Sequence, residues 1–310
     1  MKPESAVLAR DAAKARRARL IGIALMCAAV STFSCLDTTA KYLGRQIDVM
    51  EIVWARYTFA MLLALIISNP LSRPGMLRTS RPVLQVVRAA ILLGSTMLNF
   101  FALRYLRLDQ VLAITFSTPF VVTALSGPTV GEWVGPRRWA AIGVGFIGVL
   151  VVTRPGFGIV HPAAILAVLA TLAYAAYFLT TRILARTDSN DTTLFYSNFV
   201  GAVLMLPTLP FFWTPPAPWQ WGLLVMAGAL ATSGHYMLIV AHRYAPASLL
   251  SSFVYCQLVG VVILGYLVFG DVPDVYTLIG AAIVISSGLY ILHRERVRAS
   301  RIVPDTKRAM

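Results

Sequence analysis

Long apolar runs separated by short polar gaps fill this chain, and they limit what it can fold into. Crossing the hydrocarbon of a bilayer takes about 20 apolar residues in a helix. Ten stretches approach that length: Leu20–Tyr42, Val49–Asn69, Pro82–Leu103, Leu108–Val130, Trp139–Thr153, Ala163–Leu184, Thr192–Phe212, Trp221–Ala241, Ala247–Phe269 and Val275–Leu292. The runs are continuous rather than alternating, which excludes a transmembrane β-barrel. Hydrophobic residues make up 58% of the chain and charged residues 13%. A soluble domain carries about 25% charged residues, so the solvent for this surface is lipid. The expected fold is an all-α membrane protein of ten transmembrane helices.

The N-terminal stretch is basic and precedes an apolar run, as in a signal peptide. Leu20–Tyr42 is longer than the ~7–15 residues of a signal core, and further helices follow, so it reads as a retained first span. Cys27, Cys35 and Cys256 all fall inside spans. They form neither a disulfide framework nor a zinc motif, and no metal or cofactor is expected.

The formal net charge of +14 follows topology and does not point to nucleic acid. Six basic residues of the N-terminal arm, then Arg73, Arg78, Arg81, Arg88, Arg137, Arg138, Arg182, Arg186, Arg243 and the tail, fall on one side of a ten-span arrangement. The other side receives Lys41, Arg45, Arg104, Arg107 and Arg154. The positive-inside rule then places both termini in the cytoplasm. Lipid headgroups are a further partner of this charge.

The two halves repeat. Ala102-Leu103-Arg104-Tyr105 returns as Ala241-His242-Arg243-Tyr244, Gly131-Glu132 as Gly270-Asp271, and Leu125 as Leu264, all at one offset of 139 residues (241 − 102). The expected division is a basic arm over 1–19, a first repeat over 20–154, a second over 155–293 and a basic tail over 294–310. Five spans per half is an odd number, so the second half enters the membrane inverted. Inverted repeats are a signature of secondary transporters, whose substrate site lies near the midplane between the halves.

At these residues the chain resembles the drug/metabolite transporter superfamily, in its EamA branch. The resemblance covers about residues 20–293. It rests on the Ala-Leu-Arg-Tyr-Leu run before the fourth span, Thr118-Pro119 within it, Gly131-Glu132 at its end, and the glycines of the fifth span (Gly143, Gly145, Gly148). Leu172-Ala173-Tyr174-Ala175-Ala176-Tyr177 is most similar to YddG-type amino-acid exporters, which usually carry Trp at the place of Tyr174. The resemblance implies plasma-membrane export of amino acids or related small metabolites. Two departures leave the aromatic character of the substrate open: Thr118 stands where aromatic exporters tend to carry Trp, and Tyr255-Cys256-Gln257 lacks the Pro frequent in the ninth span.

Polar residues at membrane depth are costly and are therefore candidates for function. Asp37 and Lys41 lie i, i+4 on one face; with Arg56 they read either as an ion-pair network near the outer rim, Arg56 snorkelling or bonded to carbonyls, or as an outer gate or a site for a substrate carboxylate. Thr115, Ser117, Thr118 and Pro119 cluster at a kink, because proline removes a backbone hydrogen bond and frees a carbonyl. The alternative reading is that the hydroxyls only satisfy that kink. Tyr174 and Tyr177 share a face. Tyr255 and Gln257 are the repeat neighbours of Phe116 and Thr118, which puts them across the same cavity. Asn99, His235 and Tyr236 complete the substrate-site set, and His235 is the group that could couple transport to protons. The small residues of spans five and ten read as scaffold or as a homodimer seam. Gly143-Val144-Gly145-Phe146-Ile147-Gly148 matches G-x-G-x-x-G in form, but it lacks a preceding strand and is not a nucleotide loop. An enzyme is not expected: neither Asp-rich metal clusters nor His-Glu-x-x-His occurs. The alternatives are a carrier for other solutes, such as drugs or nucleotide sugars, and a membrane protein that does not transport.

Overall fold

The computed structural model describes residues 3–67, 74–106, 108–153, 161–270, 272 and 275–301. Among these the regular structure is helical throughout. The α-helices are α1 (Pro3–Leu43), α2 (Val49–Ile67), α3 (Pro82–Tyr105), α4 (Leu108–Thr115), α5 (Thr118–Val130), α6 (Pro136–Thr153), α7 (Ala164–Leu184), α8 (Asn190–Met205), α9 (Leu209–Phe212), α10 (Pro218–Tyr244), α11 (Ala247–Leu250), α12 (Gln257–Phe269) and α13 (Val275–Arg301). A 3-10 turn over Ser251–Cys256 joins α11 to α12.

Local chemistry sets several boundaries. Pro82 and Pro218 open α3 and α10 at positions where an amide hydrogen has no helical partner anyway. Ser189 caps α8, its hydroxyl accepting from the Thr192 amide at 3.0 Å. Gly131 and Gly270 close α5 and α12 at φ of 75° and 72°, a left-handed conformation that favours glycine.

Among the described residues, seven stretches are long and apolar enough to cross a membrane, by length and composition: Ala13–Leu43, Val49–Ile66, Pro82–Tyr105, Ala164–Leu184, Asn190–Phe212, Pro218–Tyr244 and Ala247–Phe269. The count of ten is not confirmed among the described residues. The fourth expected span is broken at Phe116-Ser117 into an 8-residue and a 13-residue helix. The fifth begins with Pro136-Arg137-Arg138 and has only 18 residues. The tenth offers only the shorter apolar stretch Leu278–Ile291. The outward faces of these helices are apolar: Ile66, Leu206, Phe211 and Leu267 are all more than half exposed. Water would not tolerate such a surface, whereas lipid solvates it.

The 139-residue offset reappears in three dimensions. Tyr105 and Tyr244 end α3 and α10, Thr118 and Gln257 begin α5 and α12, and Pro136 and Val275 begin α6 and α13. Packing follows the same symmetry. The α1–α10 pair has its counterpart in α7–α3, and α2–α10 in α8–α3. The halves run in opposite senses. Gln85, near the start of α3, reaches Asp188 at the end that also holds Arg182 and Arg243. Trp219, at the start of α10, packs edge-on to Tyr42 at the other end, which also holds the Arg104–Asp48 ion pair. We call these the basic end and the opposite end.

The small residues of α6 and α13 are used within the chain. A Cβ on Gly148 would lie 2.9 Å from the Gly280 carbonyl oxygen, and one on Gly145 would meet the Tyr255 ring at 2.7 Å. Gly143 faces open space. Gly148→Ala should therefore destabilise the protein by about 1–3 kcal/mol through overpacking, whereas Gly143→Ala should fall within ~0.5 kcal/mol of wild type. Melting of the detergent-purified variants checks this, and equal loss at both glycines would refute the seam.

Candidate functional site

The helix breaks lie beside the central cavity. Pro119 has no amide hydrogen for the carbonyl of Thr115, and the Thr118 hydroxyl takes that carbonyl at 2.5 Å. Ser117 takes the Ile114 carbonyl at 2.7 Å. The kink is thus satisfied by its own hydroxyls, and the carbonyl freed by Pro119 is occupied. Thr115, one turn earlier, lines the cavity instead. In the second half Gln257 stands where Thr118 stands in the first, and its carbonyl accepts from the Ser34 hydroxyl at 3.1 Å.

The cavity encloses about 710 Å³ of non-atom space, open solvent at its mouth included. Its polar wall is Asp37, Arg56, Ser95, Thr96, Asn99, Thr115, Tyr174, His235 and Gln257. Its apolar wall includes Phe33, Phe100, Leu103 and Leu108. A second pocket shares Phe100 and Leu103 and continues past Lys41 and Arg45, so the cavity is directed towards the opposite end.

Two opposite charges stand on this wall without pairing. Asp37 accepts from Asn99 Nδ2 at 3.3 Å and from Gln257 Nε2 at 3.0 Å. Arg56 is 3% exposed. It donates from Nη1 to Thr96 at 2.8 Å and from Nη2 to His235 Nε2 at 2.7 Å, and its guanidinium lies 4.6 Å above the Tyr57 ring. Because arginine only donates, His235 Nε2 must accept, which fixes the neutral tautomer with hydrogen on Nδ1. That hydrogen is then donated to the Tyr177 hydroxyl at 3.0 Å.

The candidates from sequence are distributed unevenly around this wall. Asp37, Arg56, Asn99, Tyr174, His235 and Gln257 come together around the cavity. Arg56 is a buried part of the cavity wall. Lys41 lies in the second pocket and reaches the Leu106 carbonyl at 3.2 Å. Tyr177 is fully buried beneath Tyr174, the rings stacked at 5.8 Å. Thr118 is buried within its own kink, and Ser117 and Pro119 lie beside it. Tyr255 does not border the cavity. Its ring packs edge-on to Phe116, and its hydroxyl donates to the Ile142 carbonyl at 3.3 Å. Tyr236 is 41% exposed on the outer face of α10.

Sequence reasoning missed three groups. Arg88 was counted as a charge on the cytoplasmic side. The structure corrects that, because it is fully buried in the second turn of α3. The signal was there: an arginine inside a stretch already assigned to the membrane. Glu132, noted in the sequence only as part of the Gly131-Glu132 match, links α7 to the start of α11 at the basic end. It accepts from Arg182 Nε at 2.7 Å and from the Ala247 amide at 2.9 Å, while Arg182 also reaches the His242 carbonyl. Its repeat partner Asp271 lies outside the described residues. Asp188 is the third. It accepts from Thr79, from Ser80 at 2.9 Å and from Gln85 at 2.7 Å.

A polar-walled cavity between two inverted helical repeats is the arrangement of a membrane carrier. The chain belongs to the EamA-like transporter family, whose model matches residues 20–154 and 161–292. Among its relatives is an S-adenosylmethionine uptake transporter of Rickettsia felis, 28% identical over 91% of this chain and 96% of that protein. A riboflavin transporter of Vibrio cholerae is also 28% identical over 91% of this chain and 96% of its own length. A pseudopaline exporter of Pseudomonas aeruginosa is 24% identical over 85% of this chain and 93% of that protein. A crystal structure with 18% identity superposes at a TM-score of 0.74, covering 91% of this chain and 98% of the other, and agrees in fold. These relatives carry other cargo than the free amino acids that the YddG-type resemblance implied.

Burial works to raise the Asp188 carboxyl pKa, but hydrogen bonds from Thr79, Gln85 and Ser80 outweigh it and hold the group below the usual carboxylate value. A depressed folded-state pKa stabilises the protein above the unfolded value and loses that effect as pH falls through the folded one. Asp188→Asn should therefore lower the melting temperature at pH 7. The gap to wild type should shrink as the pH is taken below the ordinary Asp range of ~4. A gap independent of pH would remove the charge from the explanation.

Proposed function

We propose that this protein is a secondary carrier for small metabolites bearing an amino-acid head group, S-adenosylmethionine and free amino acids among them. The observation that carries the reading is the pair Asp37 and Arg56, opposite charges on one cavity wall, each held by neutral partners rather than by the other. Such a pair complements a zwitterion. Asp37 receives the ammonium group, or a sulfonium, and Arg56 the carboxylate. Arg56 Nε has no hydrogen-bond partner among the described residues, which leaves a donor for that carboxylate. Phe33, Phe100 and Tyr174 offer apolar and aromatic surface to the rest of the molecule.

The mechanism that fits is alternating access between two states of the repeats. The cavity is directed to the opposite end in this state, with Glu132–Arg182 holding the basic end closed. Ten crossings, counting the broken and short helices, put both termini and the basic end in the cytoplasm of a bacterium, with the chain in its inner membrane. The distribution of arginine supports that orientation. Uptake and export use the same cycle, and the solute gradients set the direction.

Proteoliposomes tested with S-adenosylmethionine, the twenty amino acids and riboflavin check the reading. Saturable flux of S-adenosylmethionine or an amino acid is expected. Asp37→Asn and Arg56→Gln should each cut it at least tenfold, the scale of a charge-assisted hydrogen bond of ~1.5–3 kcal/mol. Flux of riboflavin alone would keep the carrier and reject the zwitterion. A separate check addresses the latch. Glu132→Ala should make a cysteine placed at Ser197 react faster with a membrane-impermeant thiol reagent from the basic end, and an unchanged rate would place the gate elsewhere.

A further inference from the structure

Arg88 is the largest fully buried side chain. Its Nε donates to the Thr181 hydroxyl at 2.8 Å, Nη1 to the Ser197 hydroxyl at 2.6 Å and the Thr193 carbonyl at 3.4 Å, and Nη2 to the Tyr177 hydroxyl at 3.1 Å. The guanidinium also sits 4.5 Å above the Tyr177 ring. Every one of these partners is neutral. Among the described residues no carboxylate forms an ion pair with it. Burying a cation costs several kcal/mol even after relaxation, and hydroxyls return only part of that. A scaffold position could hold leucine at no such cost.

Its position shows what the charge can do. Arg88 lies eight residues before Thr96 on α3, about 12 Å along the helix, towards the basic end. It is joined to the cavity by one continuous chain: Arg56 to His235 at 2.7 Å, His235 to Tyr177 at 3.0 Å, and Tyr177 to Arg88 at 3.1 Å. Beyond it are the Gln85–Asp188 contact and the latch of the basic end. The helices that supply its partners, α7 and α8, pack against α3 and belong to the opposite half of the repeat. When those halves part at the basic end, the Thr181 and Ser197 hydroxyls move away from the guanidinium.

We propose that Arg88 is a second carboxylate subsite, exposed in the inward-open state, to which the substrate carboxylate passes from Arg56. In the state described here the hydroxyls of Thr181, Ser197 and Tyr177 stand in for that carboxylate. The two guanidiniums form a relay with a neutral linker, so an anionic group crosses the closed half of the path without being left unpaired. The subsite takes a carboxylate and adds nothing for a substrate that lacks one. It rests on the amino-acid head group proposed above and extends it to the exit half of the path.

The test compares S-adenosylmethionine with decarboxylated S-adenosylmethionine, which differ only in that carboxylate, in proteoliposomes of wild type, Arg88→Gln and Arg88→Lys. Binding is measured from the opposite end and flux in both directions. For Arg88→Gln, S-adenosylmethionine binding should stay within threefold of wild type. The flux ratio of the acid to its decarboxylated analogue should fall at least tenfold, and Arg88→Lys should recover part of that ratio. A loss of flux that is equal for the two compounds would make Arg88 a structural gate residue and overturn the subsite. An unchanged ratio in a monodisperse Arg88→Gln protein would overturn it as well. If Arg88→Gln does not fold, the same ratio read in Arg88→Lys decides, because a point charge without the bidentate fork should still shift it. Failure of wild type to bind or move S-adenosylmethionine or any amino acid would instead remove the underlying functional reading, and the subsite with it.

Discussion

Lipid gives backbone amides and carbonyls no hydrogen bonds, and most of this architecture answers to that constraint. A helix in hydrocarbon can break only where side chains or a polar cavity take over the lost bonds. Two breaks among the described residues, at Ser117 and at Cys256, fall at the same place in each repeat. At the first break the Thr118 hydroxyl covers the Thr115 carbonyl left by Pro119, and the Ser117 hydroxyl bonds the Ile114 carbonyl. At the second, a 3-10 segment tightens the backbone, and Ser34 on α1 bonds the Gln257 carbonyl. Both repairs use small hydroxyl groups. Breaks of this kind let a helix bend around a cavity without exposing bare backbone to lipid.

The same constraint explains how polar side chains are grouped. Asp37 is held by Asn99 and Gln257, one from each half of the molecule, and Arg56 is held by Thr96 and His235, again one from each half. Each charge is therefore fixed by contacts that span the interface between the repeats. Movement of one half against the other changes both sets at once, as a two-state carrier requires. The neutral tautomer of His235 keeps two guanidiniums in one hydrogen-bonded chain without adding a third positive charge.

The sequence carried the repeat and the helical class because both rest on periodic information. The 139-residue offset in residues such as Tyr105 and Tyr244 became equal helix ends, and the apolar runs became helices. The site was only partly legible. Asp37, Arg56 and Gln257 stood out because charge or amide at membrane depth is costly wherever it points. Tyr255 and Tyr236 could not be sorted in the same way. A tyrosine in a span is equally acceptable facing a cavity, a neighbouring helix or lipid, and one chain gives no angular reference to separate these. Thr118 was visible as part of a kink. That its hydroxyl turns back onto its own helix is decided by backbone geometry at Pro119.

Arg88 shows a different failure. Counting arginines by side of the membrane works for those that reach headgroups, and it absorbs any arginine near a span end into the same tally. The distinction lies one turn deeper. Arg81 stands before the first turn of α3 and is exposed, whereas Arg88, two turns further on, has no exposed surface. Snorkelling carries a long side chain only about as far as its own length. An arginine more than a turn inside a span must therefore find polar partners within the protein. In this chain both such residues, Arg56 and Arg88, did so in the same way, on hydroxyls and the His235–Tyr177 bridge, and neither took the single nearby carboxylate. On the function proposed above, the carboxylate and the two cations are thereby kept available for a bound molecule, at a cost to the stability of the empty carrier. A protein that stored all its charge in internal ion pairs would be more stable and would have less to offer a zwitterion.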